Sequence, residues 1–435
     1  MELASNRSFL ETLSLYLDKR VWVIFLLGMS SGFPWVIIGS AMSAWLKEAD
    51  LTRTAIGFFG SITAVYAINF LWAPLLDRVK IPLFSQLGRR RSWILLMQLI
   101  LLLGVIAISF TNPASSLLWT SLIALSIALA SSTQDIAIDA YRIESISPED
   151  NHMIPVGSAM ATSGWWTGYS LAGALAFILV DLDGWSWSDV YRVMAGFLIA
   201  LILVVFLIKE PKKYSEKVEK KNSQTNIQTW LSETIIEPFS EFFSRNGVKV
   251  ALLILGFIFL FKIGEAFLGR MSIVFYKEIG FTNTEIGTYS KLVGWWVVII
   301  FSILGGIVNS KFGIIKGLFI GGVAMAASNL MFAWIASVGP NTDLFLATVI
   351  VDGFTGAFAT VTFVSFLSFL TSRKFTATQY ALMASLGNLA RTTLSSFSGV
   401  MVDGLGGNWS LFFIITALMV IPSLIMLGFI AKKIK

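Results

Sequence analysis

Residues 87–110 read LGRRRSWILLMQLILLLGVIAISF, three consecutive arginines followed by a long run of uncharged, mostly apolar residues. A helix needs about 20 such residues to cross the hydrocarbon core of a bilayer, and this run has that length. Arginines at one end place that end on the cytoplasmic side, because Lys and Arg are enriched in cytoplasmic loops. The segment therefore predicts a transmembrane helix and its orientation.

The whole chain of 435 residues has the same character. Its hydrophobic content is 56% and its mean hydropathy is +0.76, whereas only 13% of its residues are charged. Ordinary soluble domains carry about 25% charged residues. We predict twelve apolar spans, at residues 21–46, 54–76, 93–111, 117–139, 156–180, 191–208, 249–276, 284–308, 317–336, 343–370, 378–400 and 410–430. The predicted fold is an all-α polytopic membrane protein.

Lys and Arg residues are distributed unevenly between the two sides of the predicted helices. By our count, 24 of the 32 lie on one side, four lie on the other and four lie inside spans. The first side, which includes both termini, is therefore expected to be cytoplasmic. Residues 1–20 lack a signal-peptide cleavage pattern, so we expect the first span to be retained. A nucleic-acid-binding face would not alternate with apolar helices, and no nucleic acid is expected as a partner.

The longest polar stretch, residues 209–247, divides the spans six and six. We therefore predict an N-terminal half at 1–208 and a C-terminal half at 248–435. The first part of the linker is charged and expected to be mobile. Its second part has apolar residues at helical spacing, divided by Pro238 into two short helices, and indicates an interfacial helix under the bundle. A regulatory docking site is the alternative. The apolar residues are Trp230, Leu231, Ile235, Phe239, Phe242 and Phe243.

Residue types that are absent or rare exclude several classes of protein. The chain has no cysteine, which excludes disulfides, iron–sulfur clusters and thiolate zinc sites. Its single histidine, His152, lies in a predicted loop, which argues against a histidine metal centre and against an intramembrane transferase. No G-x-x-x-x-G-K-[ST] phosphate loop is present, so the chain by itself does not resemble an ATP-driven pump. We expect no metal, no cofactor and no catalytic residues.

Six plus six spans with cytoplasmic termini resemble the layout of the major facilitator superfamily. The loop after the second span adds to this, because it resembles the superfamily's loop between helices two and three. The resemblance implies a gate, in which an Asp caps a helix end and forms charge pairs across the cytoplasmic mouth. Arginines that only anchor the topology are the alternative. The candidate gate residues are Asp77, Arg78, Gly88, Arg89, Arg90 and Arg91.

Charged residues inside apolar spans are the strongest functional signal, because each costs about 2.5–3.5 kcal/mol at the centre of a membrane helix. The basic ones are Lys262, Arg270, Lys291 and Arg391, and the acidic ones are Asp135, Asp139, Glu265 and Asp352. Spans three, six, nine and twelve carry none. The superfamily resemblance implies that these four face lipid and that spans one, four, seven and ten line the cavity.

Two of these pairs share a helix face. Asp135 and Asp139 are four residues apart, so the two carboxylates repel each other, and burial favours the uncharged form. One of them is expected to bind a proton. Lys262 and Glu265 are three residues apart and can exchange partners. The proton-coupling candidates are Asp135, Asp139 and Glu265; a structural pair with Arg142 is the alternative for Asp139.

Aromatic residues inside the spans are candidates for stacking on sugar rings. Two tryptophan doublets lie within spans five and eight, although Trp in membrane proteins is enriched at the interface. The aromatic candidates are Trp35, Tyr66, Trp165, Trp166, Tyr169 and Trp295. Plain packing is the alternative for all of them.

Several longer stretches carry a closer resemblance. They are GFPW (32–35), IGFF (56–59), FLWAPLLDR (70–78), LGRRRSW (87–93), TQDIAIDA (133–140), FFSRN (242–246), KIGEAF (262–267) and FTATQYAL (375–382). These stretches resemble AmpG-type muropeptide permeases, with Glu265 where some members have Asp. The resemblance implies import of N-acetylglucosaminyl-1,6-anhydro-N-acetylmuramyl peptides from periplasm to cytoplasm, driven by the proton gradient. In bacteria with inducible β-lactamase, such import feeds the induction signal.

We therefore expect a proton-coupled secondary transporter of cell-wall turnover products, a monomer among the lipids of the bacterial inner membrane. A carboxylated, hydroxyl-rich substrate needs cations and amides in its site, and the candidates are Gln134, Lys262, Asn388 and Arg391. Asn388 and Arg391 are three residues apart and share a face of span eleven. Several family members carry two further C-terminal helices, which leaves a transporter of another bulky anion, such as acetyl-CoA, as an alternative. A membrane binding or assembly factor without turnover is a second one.

Overall fold

The computed structural model of the chain describes residues 9–51, 59, 61–211, 236–281, 285–286, 289 and 293–433. Every regular element within these residues is a helix. In chain order the α-helices are α1 (Phe9–Ser14), α2 (Lys19–Trp35), α3 (Ala41–Glu48), α4 (Val65–Ile68), α5 (Ala73–Arg78), α6 (Arg89–Ile108), α7 (Leu117–Ser145), α8 (Ile154–Val180), α9 (Trp187–Leu207), α10 (Glu237–Asn246), α11 (Val248–Leu260), α12 (Ile263–Glu278), α13 (Gly294–Phe312), α14 (Ile314–Val338), α15 (Thr342–Leu370), α16 (Thr376–Ser395), α17 (Ser398–Gly404), α18 (Trp409–Leu418) and α19 (Ile421–Lys433).

Ten helical segments of the described chain are long and apolar enough to cross a membrane. Some are composite: α2 and α3 are joined through a π-helical turn at Val36–Ser40, and α11 continues into α12. The predicted second and eleventh spans are helical where they are described, but they are not among the ten. The second is interrupted before α5, whose first turn contains Pro74, and the eleventh, α16, carries several polar residues. The all-α polytopic fold is confirmed, and the count of twelve spans stays a prediction.

Four helices present long apolar side chains outward, and these helices are α6, α9, α14 and α19. Leu103, Leu207, Val323 and Phe429, one from each helix, all expose more than half of their surface. An apolar surface of this size is stable against lipid and not against water. These helices correspond to the charge-free spans three, six, nine and twelve, which are expected to face lipid.

Contacts between the two predicted halves run along two lines. In the first, α8 packs against α13 and α15; in the second, α16 packs against α5 and α7. Near the first line the Tyr16 hydroxyl donates to the Ile303 carbonyl oxygen at 2.7 Å. In the second the Ser385 hydroxyl donates to the Asn69 side-chain oxygen, also at 2.7 Å. The division at the linker itself stays a prediction.

The described end of the linker forms α10, with Pro238 in its first turn and Phe242 fully buried against the C-terminal half. Proline fits a first turn because the missing N–H has no partner there. Arg245, near the end of α10, donates to the Leu370 carbonyl oxygen at 2.7 Å. The helix thus lies against the ends of α15 and α16. Trp230, Leu231 and Ile235 lie outside the described residues.

Glycines bring α2 and α8 unusually close together. Both helices carry a G-x-x-x-G pattern, Gly28 with Gly32 and Gly164 with Gly168. A Cβ atom at Gly28 would lie 2.6 Å from the Ala161 carbonyl oxygen, and one at Gly32 or Gly164 would overlap a backbone carbonyl of the facing helix. Small residues allow such an approach, and van der Waals packing then holds helices together within lipid.

We expect Gly164→Val to lower the thermal unfolding temperature of the purified protein in detergent. The added side chain has no space and must force the two helices apart, and overpacking of this kind costs about 1–3 kcal/mol. Gly196→Val in α9 is the matched control, since a Cβ there meets nothing within 4 Å. Equal unfolding temperatures for the two variants would contradict the close packing of α2 and α8.

Candidate functional site

A cavity of about 790 Å³ lies between α8 on one side and α12, α13 and α15 on the other. Its lining is aromatic and acidic: it includes Trp166, Tyr169, Trp295, Glu265 and Asp352. No Lys or Arg of the described chain lines it. The lining residues of α8 lie toward its C-terminal end, away from the end of the bundle where the arginines cluster. A cavity of this size matches those that hold small-molecule ligands.

Five of the six predicted aromatic residues form one connected group, whereas Trp295 packs against Trp296, and only some of the six reach the cavity. The Trp165 ring stacks on the lining residue Tyr169, with centroids 5.4 Å apart. Trp35 packs between Trp165, at 6.2 Å, and Tyr66, at 4.5 Å. Trp35, Tyr66 and Trp165 are absent from the lining, so they support the cavity wall from behind.

A second cavity of about 160 Å³ adjoins the first and is basic. It is lined by Lys262, Asn388 and Arg391, three of the four predicted polar substrate contacts. Thr360 of α15 lines both cavities, and its hydroxyl accepts a hydrogen bond from Lys262 Nζ at 2.7 Å. Lys262 Nζ also lies 2.8 Å from the Glu265 carboxylate. This ion pair therefore stands at the boundary between an acidic chamber and a basic one.

The predicted residues of α7 lie elsewhere. Gln134 is fully buried, and its amide donates to the Ser30 carbonyl oxygen at 2.8 Å. Asp135 accepts a 2.6 Å hydrogen bond from the Ser31 hydroxyl, so both side chains connect α7 to α2. Neither residue lines the two cavities described above, and α7 contributes nothing to the large one, although the resemblance implied that span four lines it. Its lining comes instead mostly from α8 and α15, with fewer residues from α12 and α13.

Asp139 forms an ion pair with Arg142 at 2.9 Å, which is the structural pair given above as the alternative to proton coupling. The guanidinium of Arg142 is almost fully buried and also donates to the Ser368 hydroxyl at 2.8 Å. Its plane lies against the Tyr380 ring, with 5.2 Å from the guanidinium carbon to the ring centroid. Ser368 and Tyr380 belong to the C-terminal half. Arg142 therefore joins the halves, and Asp139 compensates its charge.

Asp77 accepts three hydrogen bonds from the start of α16, in the other half. α16 begins after Phe375 and has no capping side chain of its own. The Asp77 carboxylate accepts hydrogen bonds from the backbone N–H groups of Ala377, at 3.1 Å, and Thr378, at 2.9 Å. It also accepts from the Thr378 hydroxyl at 2.7 Å. A carboxylate is favoured there because the first N–H groups of a helix have no intrahelical partner and carry a partial positive charge.

Arg90 holds Asp77 in that position. Its guanidinium is completely buried and lies 2.7 Å from Asp77 and 2.6 Å from Glu144. Arg89 also pairs with Glu144, at 3.3 Å. A charge buried in this way is stable only when it is paired and hydrogen-bonded, and breaking one partner is costly. The ion pair with Arg90 therefore fixes the position of Asp77, the residue that contacts the other half.

The other predicted gate residues hold this network to the linker. Glu210, where the linker begins, accepts from the backbone N–H groups of Arg90, at 2.7 Å, and Arg91, at 3.0 Å. Gly88 has a positive φ of 93°, and any side chain there would overlap Glu210. Arg78 pairs at 3.2 Å with Glu237 of α10.

Sequence reasoning missed Glu144, Glu210 and Thr378. The stretch FTATQYAL (375–382) was a signal for Thr378, but nothing in its spacing indicates a partner 301 positions away. At the same end of the bundle, hydrogen bonds from Arg20 hold the pKa of the Asp18 carboxyl below its ordinary value.

Comparison with known proteins gives consistent matches. Residues 24–294 match the family model of the Major Facilitator Superfamily. A Rickettsia felis protein named as transporter AmpG 4 is 36% identical over 422 residues, covering 97% of this chain and 98% of that protein. The anhydromuropeptide permease of Escherichia coli K12 is 31% identical over 421 residues, covering 95% of this chain and 80% of the permease. A solved structure of the proton:xylose symporter XylE is 15% identical with a TM-score of 0.68, covering 95% of this chain and 96% of the symporter, which shows a shared fold.

We expect Asp77→Asn to open the end of the bundle that carries the arginines. An asparagine lacks the charge and can present an N–H group to the N–H groups of α16. A hydrogen bond to a charged group contributes about 1.5–3 kcal/mol. The equilibrium between the conformation that is closed at this end and the one that is open there should therefore shift about tenfold or more toward the open one.

The shift can be followed by labelling single cysteines, since the chain has none of its own. A cysteine at Ser40, which lines the large cavity, should react more slowly with an impermeant maleimide in the Asp77→Asn background. Asp183→Asn, in an exposed loop, is the control and should leave the rate unchanged. Equal labelling rates in the wild type, Asp77→Asn and Asp183→Asn would contradict the gate and favour the alternative, in which the arginines only anchor the topology.

We expect Lys262→Met alone to destabilise the protein more than Lys262→Met combined with Glu265→Gln. Removing one partner of a buried pair leaves an uncompensated charge, which costs about 3–5 kcal/mol. Thermal unfolding of the two single variants and the double variant measures the coupling. The exposed pair Asp189–Arg192 is the control and should give about 0–1 kcal/mol. Strict additivity at Lys262 and Glu265 would show that the two side chains do not interact.

Proposed function

The chain belongs to the major facilitator superfamily and, within it, to the AmpG-type permeases, and from this membership we propose that it imports anhydro-muropeptides for cell-wall recycling. It is a secondary transporter and a multi-pass protein of the bacterial inner membrane. The proposed substrates are N-acetylglucosaminyl-1,6-anhydro-N-acetylmuramic acid and its peptides. The proposed driving force is the proton gradient, and the proposed functional unit is a monomer among membrane lipids.

The observation that carries the proposal is the pair of adjoining cavities, one aromatic and acidic and the other basic. The apolar faces of sugar rings stack on aromatic rings, and Trp166, Tyr169 and Trp295 offer such faces in the large cavity. The substrate's carboxylates require cations, which Lys262 and Arg391 supply in the small one.

The polar groups of the substrate fit the same arrangement. Asn388 lies in the basic cavity and can hydrogen-bond to N-acetyl or peptide amides. A ligand with its glycan in the large cavity and its peptide in the small one would extend across the Lys262–Glu265 ion pair. A ligand carboxylate near Lys262 would compete with Glu265 for that cation, which gives the bound ligand a direct effect on a buried charge.

Of the three predicted proton-coupling residues, Asp135 suits the role best. Asp139 and Glu265 each have a cationic partner, whereas the described partner of Asp135 is the neutral hydroxyl of Ser31. A proton can neutralise Asp135 without breaking an ion pair. Because Asp135 connects α7 to α2, its charge would also influence how those two helices pack.

We expect purified protein in liposomes to accumulate radiolabelled anhydro-disaccharide peptide when the outside is more acidic. A protonophore should abolish the accumulation. Arg391→Gln should raise KM about tenfold or more, since a charge-assisted hydrogen bond contributes about 1.5–3 kcal/mol. Arg270→Gln is the matched control, because Arg270 is exposed on α12 and lines neither cavity. Absence of uptake by the wild type, or equal KM values for the two variants, would contradict the proposal.

A further inference from the structure

Asp352 is an acidic residue that lines the large cavity and that the function proposed above does not use. It lies in α15 and is partly exposed to the cavity. Its carboxylate accepts one hydrogen bond, from the Ser328 hydroxyl of α14, at 3.1 Å. Within the described residues no Lys or Arg lies within ion-pair distance of it. An ionised carboxylate held in this way inside a membrane protein is costly.

The other buried carboxylates are placed differently. Glu265, which lines the same cavity, is paired with Lys262. Asp139 is paired with Arg142, and Asp77 with Arg90. Asp135 has no cationic partner among the described residues, but it lines neither of the two cavities. Asp352 therefore lines the cavity and has no cation within ion-pair distance among the described residues. Each of the other carboxylates named here lacks one of these two properties.

The groups around Asp352 come from every helix that surrounds the cavity. α12 contributes Glu265 and Tyr276, α8 contributes Tyr169 and α13 contributes the neutral Trp295. The junction of α11 and α12 contributes Lys262, which lies within electrostatic range of Asp352, as does Glu265. Among the described residues Arg391 also lies within electrostatic range of Lys262 and Glu265, but it does not line the large cavity, and Lys291 lies outside the described residues.

This charge balance has a consequence for an anionic ligand. With both carboxylates ionised, the large cavity has two acidic lining residues and no lining Lys or Arg of the described chain, so the charge of Asp352 repels a carboxylated molecule there. With Asp352 protonated, Lys262 balances Glu265 and the repulsion is removed. A ligand whose carboxylate displaces Glu265 from Lys262 would need this neutralisation even more.

We propose that Asp352 binds a second proton, in the large cavity and apart from the one assigned to Asp135, and that its protonation precedes entry of an anionic ligand. A proton from cavity water binds the carboxylate oxygen that Ser328 does not contact, and it returns to water when the site opens to the other side. The part of the proposal that concerns the ligand rests on the proposed function, whereas proton binding by Asp352 does not.

Proton binding is tested on purified, substrate-free protein by infrared difference spectroscopy between acidic and alkaline pH. The wild type should show a carboxylic-acid C=O band that Asp352→Asn loses and Asp135→Asn retains. Asp343→Asn, at the exposed start of the same helix, is the control and should keep that band. Asp352→Glu should restore a titrating band at a shifted frequency. A band unchanged in Asp352→Asn would overturn the proposal whatever the protein transports.

Coupling is tested in liposomes with the labelled anhydro-disaccharide peptide. Asp352→Asn should retain exchange of labelled for unlabelled substrate at equal pH but should not accumulate it above the outside concentration under a pH gradient. Asp352→Glu should accumulate it. Loss of exchange in both variants, with unchanged thermal unfolding, would assign Asp352 to ligand binding and overturn the proton role. If the infrared band depends on Asp352 but the wild type moves no anhydro-sugar, the proposed substrate is wrong and the proton site stands.

Discussion

The arrangement of the helices depends on one carboxylate that caps a helix of the other half. Asp77 accepts the free N–H groups at the start of α16, which has no capping side chain of its own, and Arg90 and Glu144 fix Asp77 from behind. The contact is strong because it joins a full negative charge to oriented N–H groups in a site from which water is excluded. It can form only when the two halves approach at that end, so it holds that end closed while space remains at the other.

The space inside the bundle is divided by charge. The Lys262–Glu265 pair lies between an aromatic, acidic chamber and a basic one, and Thr360 contacts both chambers. An ion pair in such a position costs desolvation energy and gives little net stability. Its use is that a ligand or a proton can change its partners. The close contact of α2 with α8 through glycines gives this site a rigid wall, because two backbones in contact leave little freedom to adjust.

Spacing along a helix predicted which side chains share a face, and it did so correctly for Lys262 with Glu265 and for Asn388 with Arg391. It could not tell what each face meets. Gln134 has the chemistry of a substrate contact, yet it bonds to the backbone of α2. Glu210 has unremarkable surroundings in the sequence, and Thr378 lies in a family motif that does not indicate its partner, yet both complete the network around Asp77 and the arginines. Partners more than a hundred positions apart leave no periodic signal.

The amino-acid sequence by itself determined the environment of the chain and the helical character of its spans, because both follow from the energy of placing apolar or charged groups in a bilayer. It also determined the family, through motifs spread over nearly the whole length. Only the tertiary structure decided which charges are paired, which aromatic rings reach the cavity and which end of the bundle is closed. These depend on distances between helices, and Asp352 illustrates the reason: the role of a single acidic residue in an apolar span can be inferred only once the described neighbouring helices are seen to place no cation within ion-pair distance of it.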